Sequence, residues 1–375
     1  MKQLKIIADS KIPFLQGVLE PFAEMHYLDP AAITPDAVRT ADALIIRTRT
    51  KCNAALLDGS HVGEIATATI GFDHIDADYL RQAGIAWQNA PGCNAESVAQ
   101  YVLASLSLIA LREGRKLSSY TIGIVGVGNV GKAVERACLT VGISILRCDP
   151  PRAEREGSEG LVSLDTIARE ADVVTFHTPL TRTGTHATYH LADQAFFEAV
   201  RRRPILINAA RGGVVDETAM MEAHAAGRLG DLVIDCWEGE PAIDSRLLDM
   251  ATIATPHIAG YSADGKANAT RMAVANVARH FGIDPDLSSI EAPAIAENRL
   301  DATIYIGIEA VPNLILQTYN PLADDARLRK SPATFEKQRG DYPLRREPRA
   351  YVVSGVSDSA TAAILTKLGF RVIEP

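Results

Sequence analysis

Three polar segments carry the side chains best suited to chemistry, and each directly follows a short apolar run. They are Asn208-Ala209-Ala210-Arg211-Gly212-Gly213, Asp235-Cys236-Trp237-Glu238-Gly239-Glu240-Pro241 and Pro256-His257. Between them they hold an arginine, a choice of carboxylates and a histidine. A histidine can abstract or deliver a proton near neutral pH, and a carboxylate beside it favours its charged form and fixes the ring's orientation. An arginine offers a substrate carboxylate two parallel hydrogen bonds. Taken singly, each of these is more often a surface or packing residue than a catalytic one. At the ends of successive strands they converge, because open α/β sheets bind ligands beyond the carboxyl ends of their strands. The set describes hydride transfer at a carbon next to a carboxylate.

Hydride transfer needs a carrier, and the run Thr121-Ile122-Gly123-Ile124-Val125-Gly126-Val127-Gly128-Asn129-Val130-Gly131 is suited to holding one. An apolar strand pattern leads into three glycines and then a helix-like segment. Gly126 permits a tight turn, Gly128 lets the backbone approach a pyrophosphate, and Gly131 lets the helix pack closely on the strand. Asp149 ends the next apolar run, Ile143–Cys148, where its carboxylate can bond a ribose diol. That acid favours NAD over NADP, with Arg147 on the same strand as the group most able to oppose it.

The elements that position these residues alternate in type. Leu4–Ala8, Ala43–Arg47, Ile65–Thr69 and Ile85–Gln88 are short apolar runs separated by helix-like stretches, which predicts a small parallel α/β domain. Asn89–Asn94 breaks the pattern, and Asn94 is placed to cap a long helix beginning at Ala95. Six further strands follow, at Thr121–Val125, Ile143–Cys148, Asp172–His177, Ile205–Ala209, Leu232–Cys236 and Thr252–Thr255, as a doubly wound sheet requires. A second break near Thr255–Gly260 precedes a long helix, Ala263–Phe281. Beyond it the charged, proline-interrupted stretch Asn320–Arg349 leads into a strand, a helix and a strand, predicting a third, smaller domain.

Composition bounds the functional class. At 375 residues, 47% hydrophobic and 22% charged, the chain has material for two or three cores. A formal charge of −8 argues against nucleic-acid or acidic-membrane partners. Five scattered cysteines without CxxC spacing fit a reducing cytoplasm. The N-terminal residues read as a strand rather than a secretory signal, and Val98–Leu111 is shorter than the ~20 residues a membrane span needs. No metal site is expected.

These segments resemble the D-isomer-specific 2-hydroxyacid dehydrogenase family, from about the first strand through the helix near Phe281. The resemblance implies a Rossmann NAD domain (residues 94–257) inserted in a smaller flavodoxin-like α/β substrate domain (1–93 and 258–287). It assigns the catalytic arginine, glutamate and histidine to Arg211, Glu240 and His257. NAD contacts fall on Asp149, Thr178, Ala209, Ala210, Arg211, Asp235 and Gly260, besides the glycine-rich turn. Substrate contacts fall on Thr48, Thr67 and Tyr261. Gly71–Asp76, Ala90–Ala95, Cys148–Arg152, Phe176–Leu180, Pro256–Tyr261, Asn320–Asp325 and Phe335–Glu347 are similar to one branch of the family. That branch implies a phosphorylated 2-hydroxy acid as substrate and a C-terminal α+β dimerisation domain (288–375), hence a homodimer. Arg47, Arg49, Arg345 and Arg346 are the cations expected to read the phosphate. Two alternatives stay open: a dehydrogenase of another D-2-hydroxy acid, such as 3-phosphoglycerate or D-lactate, and a non-catalytic NAD-sensing protein.

Overall fold

The computed structural model describes residues 3–305 and 309–373, so the first two residues of the N-terminal strand pattern lie outside it. The chain divides into two compact units, Met1–Asn94 with Ser262–Ala294, and Ala95–Tyr261 with Ile295–Pro375.

The first unit is built on a five-stranded parallel sheet: β1 (Leu4–Asp9), β2 (Ala23–Leu28), β3 (Ala43–Ile46), β4 (Glu64–Thr67) and β5 (Ala86–Gln88), in the order β2-β1-β3-β4-β5. This is the flavodoxin-like order. Successive side chains point to opposite faces, and both faces are covered, as a parallel sheet demands. Ile6, Ala8, Ile45 and Ala66 pack under Ala273, Val274 and Val277 of the Ala263–Phe281 helix. On the other face, Ile7, Leu44, Ile46 and Ile65 meet Val38, Leu56, Leu57 and Leu80. That long helix is stopped at both ends by its sequence: Ser262 Oγ accepts from the Gly265 N–H at 2.8 Å, and Gly282 takes the left-handed conformation at φ +65°. β2 has no counterpart among the apolar runs, because as an edge strand it carries Glu24 and His26, which bond each other at 2.9 Å.

The second unit holds β6 (Thr121–Val125), β7 (Ser144–Cys148), β8 (Val173–Phe176), β9 (Ile205–Asn208), β10 (Leu232–Ile234) and β11 (Ile253–Ala254) in one parallel sheet, ordered β11-β10-β9-β8-β6-β7. All six lie within the runs predicted for them. The chain leaves β6 for β7 on one side and crosses to β8 on the other, so the sheet's direction of winding reverses at β6. Such a reversal opens the crevice in which α/β sheets bind ligands. One face packs Ile122, Ile124, Val173, Ile207 and Val233 against Val98, Val102 and Leu106 of the Ala95–Glu113 helix and Val134 of the Asn129–Thr140 helix. The opposite face packs Val174, Phe176, Leu206 and Ile234 against Ile167, Phe196, Phe197, Met220 and Leu247. Asn94 does not cap the Ala95–Glu113 helix as expected: its Oδ1 is buried without a hydrogen-bond partner. Among the described residues no helix is long and apolar enough to cross a membrane.

The tail adds β12 (Arg299–Asp301), β13 (Val352–Ser354) and β14 (Arg371–Val372), three parallel strands in that order. The stretch read as charged and proline-interrupted is largely helical, at Leu322–Lys330 and Phe335–Gly340. Its charges are spaced to pair along the helices, as with Arg329 and Asp325 at 2.9 Å and Arg339 and Glu336 at 2.8 Å. Residues 295–375 count with the second unit, and 288–294 with the first. Leu328 and Phe335 complete one face of the six-stranded sheet's core, while Ile315 and Tyr319 join the other. Polar contacts tie the same pieces together: Arg329 donates to the carbonyls of Leu248 and Ala251, each at 2.6 Å, and Asp325 Oδ1 accepts from the Ala254 N–H at 2.7 Å.

Candidate active site

At the mouth of β6 the three glycines have separate reasons to be glycine. Gly126 sits at φ +89°, and a Cβ there would lie 2.8 Å from the His177 carbonyl oxygen. A Cβ on Gly131 would lie 2.1 Å from the Gly126 carbonyl oxygen, which lets the Asn129–Thr140 helix sit directly on the turn. Gly128 differs: nothing lies within 4 Å of where its Cβ would be, and it and Asn129 are exposed at the helix N-terminus. That open space over free amides is what a pyrophosphate needs. Nearby in sequence to the His177 contact, the Thr178 hydroxyl oxygen is buried without a partner.

Asp149 starts the helix Pro150–Glu156, its Oδ1 accepting from the Arg152 N–H at 2.9 Å. Its Oδ2 accepts from the Val127 N–H at 2.8 Å, so the expected ribose ligand also holds the glycine-rich turn closed against β7. Arg147, the group most able to attract a 2′-phosphate, is committed to Glu135 (Nε–Oε1 2.8 Å). A cavity of about 870 Å³ opens at this edge of the sheet, lined by Lys132, Glu135, Arg147, Arg152 and Lys367 among others; none of the catalytic candidates lines it.

β9 ends at Asn208, whose side chain joins the strand ends. Its Nδ2 donates to the carbonyls of Arg211 (3.1 Å) and Cys236 (3.2 Å), and its Oδ1 accepts from the Ala210 N–H at 3.3 Å. Gly212 is required here because a Cβ would lie 2.0 Å from the Trp237 carbonyl oxygen. The Arg211 loop therefore lies flat on the 237–240 turn, and Arg211 Nη1 donates to the Ala210 carbonyl at 2.7 Å.

His257 and Glu240 meet: Nδ1 and Oε1 are 2.6 Å apart, with side chains 23% and 26% exposed. Ionised Glu240 can only accept, which assigns the proton to Nδ1. Nε2 has no hydrogen-bond partner among the described residues and is the nitrogen able to exchange a proton with a ligand. Burial opposes ionisation of Glu240, but the hydrogen bond and charge of His257, the Trp237 N–H at 3.3 Å and the charge of Arg339 together hold its carboxyl below the usual range.

His257 occupies the left-handed region at φ +55°, unusual for a residue with a Cβ. What holds it there is Asp235, whose role the sequence reading confined to the cofactor. Asp235 is 1% exposed. Its Oδ1 accepts from the Ile258 N–H (2.7 Å) and the Thr255 hydroxyl (2.7 Å), and its Oδ2 from the Ala259 N–H (2.9 Å). Burial nevertheless raises its pKa against those donors. Thr255 is itself fixed, sharing a hydrogen bond with the Tyr101 hydroxyl (2.8 Å) and accepting at its carbonyl from Trp237 Nε1 (2.9 Å). Tyr261 closes the turn through its N–H to the Ile258 carbonyl, 2.9 Å, with the Tyr342 ring edge-on 5.8 Å away and the Arg339 guanidinium 5.7 Å from its ring centre.

In the first unit, Thr48 is exposed between Arg47 and Arg49, on the loop after β3. Thr67 is fully buried, its hydroxyl 2.8 Å from Thr69 Oγ1 and 3.0 Å from His74 Nε2. Burial lowers the pKa of His74, as fits a neutral structural ring. Arg345 is unavailable to a phosphate, being 5% exposed and bonded to main-chain carbonyls of its own unit. Among the described residues no group of three or more His, Cys, Asp or Glu side chains could hold a metal ion. The five cysteines are free and buried.

Comparison with known proteins adds names to this geometry. Residues 107–259 match the NAD binding domain of the D-isomer specific 2-hydroxyacid dehydrogenases, and residues 290–369 match a domain of unknown function, DUF3410. Erythronate-4-phosphate dehydrogenase of Porphyromonas gingivalis is 46% identical over 369 residues, 98% of this chain and 100% of the relative. The enzyme of the same name from Bacteroides thetaiotaomicron is 48% identical over 354 residues, 94% and 100% of the two chains. D-lactate dehydrogenase from Aquifex aeolicus, solved with NAD and lactic acid, superposes with a TM-score of 0.60 at 26% identity, covering 76% of this chain and 97% of that one.

Proposed function

We propose a reaction from one premise: the chain belongs to the erythronate-4-phosphate dehydrogenase family, within the D-isomer-specific 2-hydroxyacid dehydrogenases. It is an NAD-dependent dehydrogenase. Its substrate is 4-phospho-D-erythronate, oxidised at C2 to 2-oxo-3-hydroxy-4-phosphobutanoate, a step of pyridoxal 5′-phosphate (vitamin B6) biosynthesis. The observation that carries the reading is the His257–Glu240 pair, 2.6 Å apart at a strand end with Nε2 left open.

In this reading Arg211 holds the substrate carboxylate and the C2 oxygen, and His257 Nε2 takes the C2 hydroxyl proton. Glu240 keeps Nδ1 protonated and stabilises the imidazolium that forms. NAD supplies the hydride acceptor. Gly126, Gly128, Asn129, Val130 and Gly131 would hold its pyrophosphate and Asp149 its ribose diol, with Thr178, Ala209, Ala210, Asp235 and Gly260 along the rest of its length. The committed Arg147 supports NAD over NADP, and comparable specificity constants for the two cofactors would refute that preference. Thr48 and Tyr261 contact the substrate, and Arg47 and Arg49 beside Thr48 read its phosphate.

The homodimer is a further part of the proposal. Four large apolar side chains of the tail, Ile304, Leu322, Leu344 and Ile373, are 41–66% exposed, as a self-complementary contact would require. Buried free thiols support a cytoplasmic site of action. The test is a single-turnover absorbance scan for NADH over phosphorylated and plain 2-hydroxy acids. Formation of NADH with 4-phosphoerythronate at least tenfold faster than with erythronate, 3-phosphoglycerate or D-lactate is expected. A preference for another acid reassigns the substrate, and NAD binding without NADH from any acid removes the enzymatic reading.

A further inference from the structure

The turn that presents His257 has two sides, and the tail holds the second. Asp235 accepts from the N–H groups of Ile258 and Ala259. The carbonyls of the same two residues accept from Arg345: Nη1 donates to Ile258 O at 3.3 Å and Nη2 to Ala259 O at 2.5 Å. Nη2 also donates to the Ser97 carbonyl at 3.0 Å and to the Ser97 hydroxyl, which in turn donates to the Ala259 carbonyl at 3.0 Å. The guanidinium lies over the Tyr319 ring, 4.3 Å from its centre. The Ile258–Ala259 peptide unit is thus gripped at its N–H by a buried anion and at its carbonyl by a buried cation, while Asp235 alone holds the unit before it and Arg345 with Ser97 the unit after it.

A guanidinium that spends its donors on neutral oxygens, carbonyls and the Ser97 and Tyr342 hydroxyls, with its Nε buried and unpartnered, is an expensive way to fill space. An apolar side chain would fill the same volume at lower cost. What an apolar side chain cannot do is fix the direction of two carbonyls, and here the first of them lies in the peptide unit that follows the one joining His257, itself held at φ +55°, to Ile258.

We propose that Arg345 is a positioning residue for the catalytic base of its own chain, so that the tail takes part in turnover through the Ile258–Ala259 turn. This rests on His257 being the base, as argued above. Its effect falls chiefly on the aim of Nε2 and less on NAD affinity, because the glycine-rich turn that would hold the pyrophosphate is held independently by Asp149.

The experiment compares the full-length wild type with Arg345→Met, Arg345→Lys and Ser97→Ala. Readouts are kcat, KM for NAD, NAD affinity, thermal unfolding, and recovery of turnover on adding guanidinium chloride at low millimolar concentration. A misplacement of the order of 1 Å costs about 100-fold in rate. R345M is therefore expected to lose roughly 30- to 100-fold in kcat with NAD affinity within about threefold of wild type. R345K should fall between, and added guanidinium should recover part of the R345M loss. S97A removes only one donor to Ala259 and should lose a few-fold in kcat with its fold intact. If R345M folds, binds NAD and turns over as wild type does, the proposal is wrong. If R345M does not fold, S97A decides: an unchanged kcat overturns the idea. Failure of the wild type itself to reduce NAD with any 2-hydroxy acid would instead remove the functional reading beneath it.

Discussion

Adding a single methyl group at Gly128 or at Gly131 should separate the folding of the glycine-rich turn from its use. At Gly131 a Cβ falls 2.1 Å from the Gly126 carbonyl oxygen, whereas real Cβ contacts are essentially never below 3.0 Å, so the backbone must move by about 0.9 Å. Gly126 cannot easily yield, since it is pinned at φ +89° against the His177 carbonyl. Overpacking of this kind costs about 1–3 kcal/mol. At roughly 2–4 °C per kcal/mol for a unit of this size, Gly131→Ala should lower Tm by about 2–12 °C and weaken NAD as well. At Gly128 the methyl meets nothing within 4 Å, and φ is −78°, which alanine accepts. Gly128→Ala should therefore keep apo stability within about 1 kcal/mol of wild type. The methyl would, however, stand where the pyrophosphate approaches the amides. Losing one or two charge-assisted hydrogen bonds at about 1.5–3 kcal/mol each corresponds to at least a tenfold fall in NAD affinity. Differential scanning fluorimetry without ligand and calorimetric titration with NAD measure the two effects. Wild-type NAD affinity in Gly128→Ala would refute the placement of the pyrophosphate, and an unchanged Tm in Gly131→Ala would refute the packing argument.

His257→Ala should lower kcat by about 10²–10⁴-fold while leaving NAD affinity within threefold, and an intact turnover number would show that the base is elsewhere. Glu217, which accepts from the Glu238 N–H at 2.6 Å, has its pKa raised by burial to about 7. A carboxyl raised on folding contributes stability that is complete below the unfolded value near 4.5 and is lost as pH rises through 7, of the order of 3 kcal/mol. Urea unfolding from pH 4.5 to 8 should show that decline, and Glu217→Gln should flatten it; an equally steep decline in the variant assigns the effect to other groups. Removing residues 295–375 strips Ile315, Tyr319, Leu328 and Phe335 from the core, so an aggregated product is expected by light scattering, and a soluble, active monomer would contradict this packing.

Much of the scaffold was legible because its elements announce themselves locally. The six strands of the NAD unit are apolar runs bounded by turn residues, and the catalytic trio stands directly beyond three of them. β2 escaped because an edge strand faces water and alternates apolar with polar residues. The helices of the tail escaped because Pro321, Pro332 and a dense set of charges look like loop. Those charges pair one helical turn apart, which becomes apparent only once the helix is assumed. Thr67 was placed correctly at a strand end, but burial of its hydroxyl depends on where the 69–74 loop folds back. The clamps on the His257 turn were the least legible. Asp235 and Arg345 lie 22 residues before and 88 residues after His257, and nothing local to either says that they grip the same two residues, Ile258 and Ala259.

The order in which the chain visits its two units bears on how it can be made. The chain occupies the first unit to Asn94, the second to Tyr261, the first again to Ala294 and the second again to its end. The first sheet is covered by Ala273, Val274 and Val277 and reaches its last core residue at Ile290. At a synthesis rate of about 5–20 residues per second, β1 to β5 must therefore wait roughly 10–40 s for that cover. During this interval the 95–261 segment emerges and must begin its own sheet without Leu328 and Phe335. Each half-built core depends on chain not yet made, so the nascent protein carries exposed apolar sheet faces for most of its synthesis. Such faces are prone to aggregate while they wait, so protection during synthesis bears on the yield of this protein alongside the stability of its finished fold.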